Sequence, residues 1–209
     1  MMKIGILLSG CGFYDGTDVA EAVLAALALE RRGVNAVYLC PDVPLMHTVD
    51  HLSGSTVEGD RRQVAAEAAR IARGRVRFLQ EQVGGELMGL IIPGGQGAVK
   101  NLMTNFGRIG KPHEVLPVVR ELLDDLVGRK SPIGSISLGR AIVQSFLGES
   151  LSEEDMAMAS REILVDERRR LSFTPGFLSG GSLSDVGTGI ERLAESVIGM
   201  SQAGLTVLQ

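Results

Sequence analysis

The feature that most constrains the fold is a set of apolar runs that end in glycine. Residues 4–8 form a continuous apolar run that stops before Gly10, and the run over residues 87–92 leads into Gly94 and Gly95. Apolar runs without polar alternation are typical of strands buried on both faces of a parallel sheet. Ligands of open parallel sheets bind at the carboxyl ends of the strands, so these glycine-containing strand ends predict a binding site.

Strands and helices alternate along the rest of the chain. The sequence predicts further strands at residues 34–40, 76–79 and 133–137, helices at residues 19–32, 61–73, 114–127 and 182–200, and helix starts near residues 98 and 140. Residues 162–165 and 170–173 flank a charged turn, which predicts a C-terminal β-hairpin. The alternation predicts a doubly wound α/β fold with a mostly parallel sheet, and the length suits a single domain over residues 1–209.

Charge and hydropathy exclude several classes of partner. The net charge is −4, whereas a nucleic-acid-binding protein is expected to carry a basic patch. The first apolar run, residues 4–8, is too short for a signal peptide, and no segment approaches the roughly 18 apolar residues of a membrane helix. The two cysteines, Cys11 and Cys40, are expected to be reduced thiols. We therefore predict a cytoplasmic protein that binds neither nucleic acid nor membranes.

The segment "SISLG", residues 135–139, is one residue short of the G-x-S-x-G motif of a hydrolase nucleophile elbow. Ser137 stands at a predicted strand-to-helix turn, where the helix N-terminus favours a developing negative charge. The α/β hydrolases place their histidine after the serine, but the chain's three histidines, His47, His51 and His113, all precede Ser137. A hydrolase triad in that order is excluded, and the alternative is a serine that fills a small site and hydrogen-bonds the turn.

Two glycines and a cysteine are further candidates for chemistry at the strand ends. Gly94 and Gly95 leave backbone N–H groups bare, which suits either an oxyanion hole or simply a tight turn with positive φ. Cys11 is either a thiol activated by a positive site or a small apolar filler. The spacings of a phosphate-binding loop, a dinucleotide fold and a metal site are all missing, so we expect no cofactor and no metal.

Three polar residues complete the set of candidates. Glu21 lies among small apolar residues of the first predicted helix, where its carboxylate is either solvated or directed back at the strand ends. His51 is predicted to lie in a loop, as a substrate contact or as ordinary polar surface. Asn101 is a second possible substrate contact.

Taken together, the strings "KIGILLSGCGFYDGTDVAEAV", "CPD", "HLSG", "EAARIARG", "LIIPGGQGAVKNL" and "FTPGFL" resemble the ElbB proteins of the ThiJ/PfpI superfamily, over most of the chain. The resemblance implies a flavodoxin-like, class I glutamine amidotransferase-like fold and a link to isoprenoid biosynthesis or glyoxalase-like chemistry. In that superfamily a glutamate of the first helix hydrogen-bonds an elbow cysteine, and N–H groups of a Gly-Gly turn face the site. The resemblance implies these positions for Glu21, Ser137, Gly94 and Gly95, with Leu138 beside the anion.

The chain departs from the family pattern at the elbow. Ser137 stands where the family has its nucleophilic cysteine, and a helix N-terminus that ionises a thiol does not ionise a hydroxyl. Arg140 stands where the family favours proline. The stretch between Ser137 and Glu162 is shorter than the resemblance leads us to expect, so we predict a homo-oligomer in which a partner subunit helps to complete the site.

These observations support two functional hypotheses. The first is a small-molecule-binding or regulatory protein with little thiol catalysis, whose ligand is a small carbonyl compound or an anion. The alternative is a glyoxalase- or deglycase-type enzyme, a glyoxalase III-like lyase or hydrolase of glyoxal or methylglyoxal, that uses Cys11, or Ser137 helped by Glu21. Glutamine amidotransfer would need an elbow cysteine and a later histidine, and the sequence has neither.

Overall fold

The computed structural model describes residues 1–81, 83–109, 111, 113–149 and 157–206. The strands are β1 (Lys3–Leu7), β2 (Asn35–Cys40), β3 (Val49–Asp50), β4 (Ser55–Thr56), β5 (Val76–Phe78), β6 (Gly89–Ile92), β7 (Ile133–Ile136), β8 (Leu164–Asp166) and β9 (Leu171–Thr174). A seven-stranded sheet has the order β5-β2-β1-β6-β7-β9-β8, and β3 pairs with β4 in a separate hairpin. Neighbours in the large sheet run parallel except for the antiparallel pair β8–β9.

Helices cover both faces of the sheet. They are α1 (Val19–Glu30), α2 (Val64–Ile71), α3 (Gln96–Asn101), α4 (Pro117–Gly128), α5 (Gly139–Leu147) and α6 (Leu183–Thr206). Helices α1, α2 and α6 share one apolar cluster, and α3, α4 and α5 share the other. The predicted α/β fold with a mostly parallel sheet and a C-terminal hairpin is therefore confirmed.

Strand β6 shows why these apolar runs form buried strands. Side chains of a strand alternate between its two faces, so Ile91 joins the cluster under α1 and α6 while Leu90 and Ile92 join the cluster under α4 and α5. All three side chains are fully buried. A strand that must be apolar on both faces cannot alternate with polar residues, which is the pattern seen in the sequence.

Two helices begin later than the sequence predicts. Residues 114–116 are held by backbone hydrogen bonds to residues 102–104, so α4 starts only at Pro117, whose ring favours the first turn of a helix. Gln63 forms an isolated bridge with Pro44, which delays α2 to Val64. Residues 44–60, for which the sequence predicts neither a helix nor a strand, contain the β3–β4 hairpin.

Other predicted features have different outcomes. None of the helices in the described part of the chain is long and apolar enough to cross a membrane. The expectation that a partner subunit completes a shortened stretch after Ser137 concerns residues 150–156 in part, and these lie outside the described residues.

Candidate functional site at the strand ends

Ser137 forms a strained elbow between β7 and α5. Its φ of 53° lies in the left-handed region, which costs a non-glycine residue about 1 kcal/mol or more. The buried residue is held there by a hydrogen bond from its own N–H to the Thr174 carbonyl oxygen, 3.0 Å away. Gly139 then allows α5 to approach β6, because a Cβ at this position would lie 2.2 Å from the Ile92 oxygen. Ser137 therefore stands at the sharp strand-to-helix turn that the sequence predicts.

Glu21 reaches the elbow from the first turn of α1. That helix begins where Asp18 Oδ1 accepts a hydrogen bond from the Glu21 N–H, at 3.1 Å, as expected of an N-cap. The carboxyl group of Glu21 is buried, and its Oε2 accepts a hydrogen bond from the Gly94 N–H at 2.8 Å. Oε1 accepts a longer one, 3.3 Å, from the Phe177 N–H, and the Ser137 side chain hydrogen-bonds the same carboxyl group.

Burial controls the protonation of Glu21. Removal of the carboxyl group from water raises its pKa most, the charge of Asp18 adds to the rise, and hydrogen bonds from Gly94, Phe177 and Ser137 lower it. The pKa that results is about 8, compared with 4.5 for an ordinary glutamate. A carboxyl group with this pKa carries its proton at neutral pH. Glu21 therefore acts as a hydrogen-bond donor beside Ser137 and has no free charge with which to accept the serine proton.

The structure divides the predicted roles of the two glycines. The Gly94 N–H already donates to Glu21 Oε2, so in the structure this group is not free to bind a ligand. Gly94 instead allows Ser137 and Glu21 to pack closely against the backbone, because a Cβ at Gly94 would lie 2.6 Å from Ser137 Cβ and 2.8 Å from Glu21 Oε2. Within the described residues, the N–H groups of Gly95 and Leu138 have no hydrogen-bond acceptor, and these two remain for an anion.

Cys11 lies in a different environment from Ser137. Burial raises the pKa of the half-buried Cys11 thiol, the carboxylates of Glu67 and Asp15 raise it further, and Arg70 opposes them. Two of these groups are on α2, and none of them acts on Glu21. The Cys11 thiol and the Glu21 carboxyl group therefore respond to different charges. Cys40 is buried with a pKa raised by burial to about 12, which is typical of a core filler.

His51 holds the loop that follows β1. Its Nε2 accepts a hydrogen bond from the Tyr14 N–H at 3.2 Å, so its Nδ1 carries the proton and donates to the Val49 oxygen at 3.1 Å. A Cβ at Gly12 would lie only 2.4 Å from Nε2. Both ring nitrogens are used in packing this loop, and neither is left to contact a substrate.

Asn101 is a clamp rather than a ligand contact. Its Nδ2 donates to the carbonyl oxygens of Ser9, at 2.9 Å, and Asp15, at 2.7 Å, and its Oδ1 accepts a hydrogen bond from the Met46 N–H at 2.9 Å. The amide is buried and all of its hydrogen-bonding groups are occupied. The predicted substrate contact therefore has no free group on Asn101 to make it.

The candidates thus fall into two clusters. Ser137, Glu21, Gly94, Gly95 and Leu138 meet at the ends of β6 and β7. Of the other three candidates, Cys11 lies in the loop after β1, and His51 and Asn101 hold that loop by hydrogen bonds. Within the described chain, no group of three or more histidine, cysteine or acidic side chains could hold a metal ion. Sequence reasoning missed the N–H of Phe177, which lies 156 positions from Glu21. The string "FTPGFL" marks that segment but does not specify the contact.

Comparison with known proteins places the chain among amidotransferase-like proteins. A scan against protein-family models finds no match. The mitochondrial ES1 protein homolog of Rattus norvegicus is 31% identical over 221 residues, which cover 94% of this chain and 83% of the rat protein. A mitochondrial protein of Homo sapiens, glutamine amidotransferase-like class 1 domain-containing protein 3, is 30% identical over 221 residues, covering 94% of this chain and 82% of the human protein.

Solved structures support the same placement. An isoprenoid biosynthesis protein with an amidotransferase-like domain from Ehrlichia chaffeensis superimposes with a TM-score of 0.87 and 27% identity, over 95% of this chain and 99% of that one. A DJ-1 superfamily protein from Salmonella typhimurium has a TM-score of 0.57 and 17% identity, over 100% of this chain and 98% of that one, and shows the shared fold alone.

The comparison also corrects the predicted location. The similar rat and human proteins are both mitochondrial, and this finding contradicts the prediction of a cytoplasmic protein. That prediction depended on the apolar run at residues 4–8, most of which is strand β1. A buried strand of the core carries no information about the compartment in which a protein works.

Proposed function

We propose a function for this chain from one premise: it belongs to the ElbB and ES1 family of class 1 glutamine amidotransferase-like proteins, within the ThiJ/PfpI superfamily. The function is non-covalent binding of a small carbonyl compound or small anion at the elbow, as a binding or regulatory protein with little catalysis of its own. One observation carries the proposal. The carboxyl group beside Ser137, that of Glu21, is buried with a pKa of about 8.

A serine nucleophile needs a base to take its proton, and the described residues supply none here. Glu21 carries its own proton at neutral pH, so it cannot accept that of Ser137. His51 is bound to the loop after β1, and His47 and His113 are exposed on other loops. The N-terminus of α5 could lower the pKa of a thiol at this position enough to ionise it near neutral pH, but it could not ionise a hydroxyl in this way.

The same groups are well suited to binding. The free N–H groups of Gly95 and Leu138 donate hydrogen bonds, and the first turn of α5 adds partial positive charge. Protonated Glu21 and the hydroxyl of Ser137 hydrogen-bond each other, so one of their two hydrogens remains as a further donor at the same point. A set of donors without a base matches the oxygen atoms of a carboxylate or a polarised carbonyl. A bound oxygen would be held by these donors without being attacked.

The test is the Ser137→Cys variant, with Ser137→Ala as its control. We expect the new thiol to have a pKa lowered by the α5 N-terminus, so that at neutral pH iodoacetamide modifies it about tenfold faster than an ordinary thiol of pKa near 8.5. We expect wild type and Ser137→Ala to be equally inert towards methylglyoxal, and Ser137→Cys to form lactate. Lactate formation by the wild type that disappears in Ser137→Ala would overturn the proposal.

The glyoxalase- or deglycase-type alternative would use Cys11 as a displaced nucleophile, and the thiol chemistry of that residue tests it. Because burial and two carboxylates raise the pKa of Cys11, we expect iodoacetamide to label it only well above pH 8. The control is Cys11→Ala, which leaves the signal of Cys40 alone. Rapid labelling of Cys11 at neutral pH, together with methylglyoxal turnover that Cys11→Ala abolishes, would favour the enzyme.

Two expectations from the sequence belong to the same proposal. One is that residues 1–209 form a single domain, and the other is that a homo-oligomer completes the site. Sedimentation equilibrium of the whole chain measures the second directly. A monomer that still binds its ligand at the elbow would remove the partner subunit from the proposal and leave the binding role intact.

A further inference from the structure

A cavity lies at the opposite end of β7 from Ser137. Its volume is about 420 Å³, within the range of about 300–1,000 Å³ that is usual for small-molecule sites. Its apolar lining comes from α4, α5, β7 and β9, and includes Leu123, Val127, Ile133, Phe146, Leu147 and Leu171. Ile133 is the first residue of β7 and Ser137 follows the last, so roughly 13 Å of strand separates the two sites.

Basic side chains surround this apolar lining. Lys130, Arg168, Arg169 and Arg170 contribute four cations against the single carboxylate of Glu167, although the whole chain has a net charge of −4. Arg169 forms an ion pair with a glutamate 2.9 Å away, and Arg170 donates a hydrogen bond to a backbone oxygen of α6. Across the described ranges, the side chains of Lys130 and Arg168 form no hydrogen bond or ion pair. These two charges are available to a ligand.

The backbone at the mouth of the cavity is strained at two basic residues. Lys130, after the end of α4, has a φ of 56°, and Arg170, in the turn before β9, has a φ of 60°. Both values lie in the left-handed region that favours glycine. The Arg170 carbonyl oxygen accepts a hydrogen bond from the Ile133 N–H at 3.0 Å, which ties this strained residue to the start of β7. Strained residues of this kind concentrate at functional sites. Neither position lies near the elbow.

We propose that this cavity binds a soluble molecule consisting of one hydrocarbon chain with a terminal carboxylate or phosphate. The chain would lie on the leucine, valine and phenylalanine side chains between α4 and α5. The head group would meet Lys130 and Arg168 at the rim, where charge-assisted hydrogen bonds are stronger than neutral ones. The apolar lining matches the hydrocarbon chain of such a molecule, and the basic rim matches its anionic head group. Binding in this cavity does not depend on the function proposed for Ser137.

Calorimetric titration of the full chain with decanoate, decyl phosphate and decan-1-ol tests the proposal. Val127 lines the cavity and is 45% exposed, so the fold should accept a polar residue there. We expect Val127→Glu, which adds a carboxylate at the rim, to weaken binding of decanoate by tenfold or more, as expected when like charges meet in a partly apolar site. Val127→Gln is the matched control and should bind decanoate within a few-fold of wild type.

Removal of the rim charges gives an independent measurement. Lys130→Gly removes one rim charge and also relieves the strain of the positive φ, and Arg168→Gln removes a second rim charge. Each variant should weaken decanoate binding a few-fold, and the double variant should weaken it about tenfold. The control is Arg75→Gln, which removes an exposed charge beside β5 at the far edge of the sheet.

Decanoate and decyl phosphate should both bind to the wild-type chain, and decan-1-ol should bind much more weakly. The proposal is overturned if neither anion binds, if the alcohol binds equally well, if Val127→Glu matches Val127→Gln, or if Val127→Glu breaks up an oligomer whose second copy covers the cavity.

Discussion

Replacing Gly97 with alanine is expected to lower the free energy of unfolding by about 3 kcal/mol, at the upper end of the penalty for overpacking. Gly97 lies in α3, where alanine is favoured over glycine by up to about 1 kcal/mol. A Cβ there, however, would lie 2.4–2.6 Å from the Cα, carbonyl carbon and oxygen of Gly16. All three are backbone atoms, so no side-chain rotation removes the clash. Urea denaturation followed by circular dichroism measures the effect.

The matched control is Gly199→Ala in α6. A Cβ at Gly199 has nothing within 4 Å, so alanine should raise the free energy of unfolding by about 1 kcal/mol through helix propensity. The two variants make the same chemical change in helices and should shift stability in opposite directions. The Gly97 N–H donates a hydrogen bond to the Gly16 oxygen at 2.9 Å, and this bond holds the loop around Gly16 against α3. A neutral or stabilising effect of Gly97→Ala would contradict the prediction and would mean that the loop can move away from α3.

The contact between α3 and the loop after β1 shows which parts of the fold can be predicted from sequence. Apolar runs predict the strands because burial on both faces requires apolar side chains at every position. The sequence does not predict that residues 114–116 pair with residues 102–104, since that pairing is set by tertiary structure. Helix boundaries therefore shift where distant segments compete for the same backbone groups, as they do before Pro117.

Much of the candidate site could also be predicted, because its residues follow the ends of neighbouring strands. Parallel strands bring their carboxyl ends to one edge, so Gly94 and Ser137 are expected to meet. The use of each hydrogen-bonding group could not be predicted. The Gly94 N–H is bonded to Glu21, and the second carboxyl oxygen is bonded by a residue beyond β9. Sequence spacing indicates which strand ends are adjacent, but not which donor meets which acceptor.

Cys11 illustrates the same limit from the other direction. It follows β1, and its position at a strand end predicts a place near the elbow. In the structure, the charges that act on its thiol are those of Glu67 and Arg70 on α2 and of Asp15 in the same loop. The sequence around Cys11 does not specify which side chains of a distant helix will face it. The electrostatic environment of this thiol could therefore not be predicted from its position at a strand end.

The buried carboxyl group of Glu21 should make the stability of the protein depend on pH. The pKa of Glu21 is 4.5 for an ordinary glutamate and about 8 in the folded chain. Below pH 4.5 the group is protonated in both the folded and the unfolded state, so it does not make the free energy of unfolding depend on pH. Between these values the folded state binds more protons than the unfolded state, so the free energy of unfolding falls by about 1.4 kcal/mol per pH unit. Above pH 8 both states are ionised and the loss is complete.

We expect Glu21→Gln to abolish this decline, since glutamine matches the shape of the protonated carboxyl group and cannot ionise. At pH 5 the variant should be slightly less stable than wild type, because its amide N–H₂ replaces an oxygen that accepts a hydrogen bond from Gly94 or Phe177. At pH 9 it should be more stable by a few kcal/mol, so the two stability curves cross. Urea denaturation from pH 5 to 9 measures both curves, with Glu30→Gln, at the exposed end of the same helix, as the control for loss of a carboxylate alone. Parallel curves for wild type and Glu21→Gln would mean that Glu21 is ionised in the folded protein, and Ser137 would then have a base beside it.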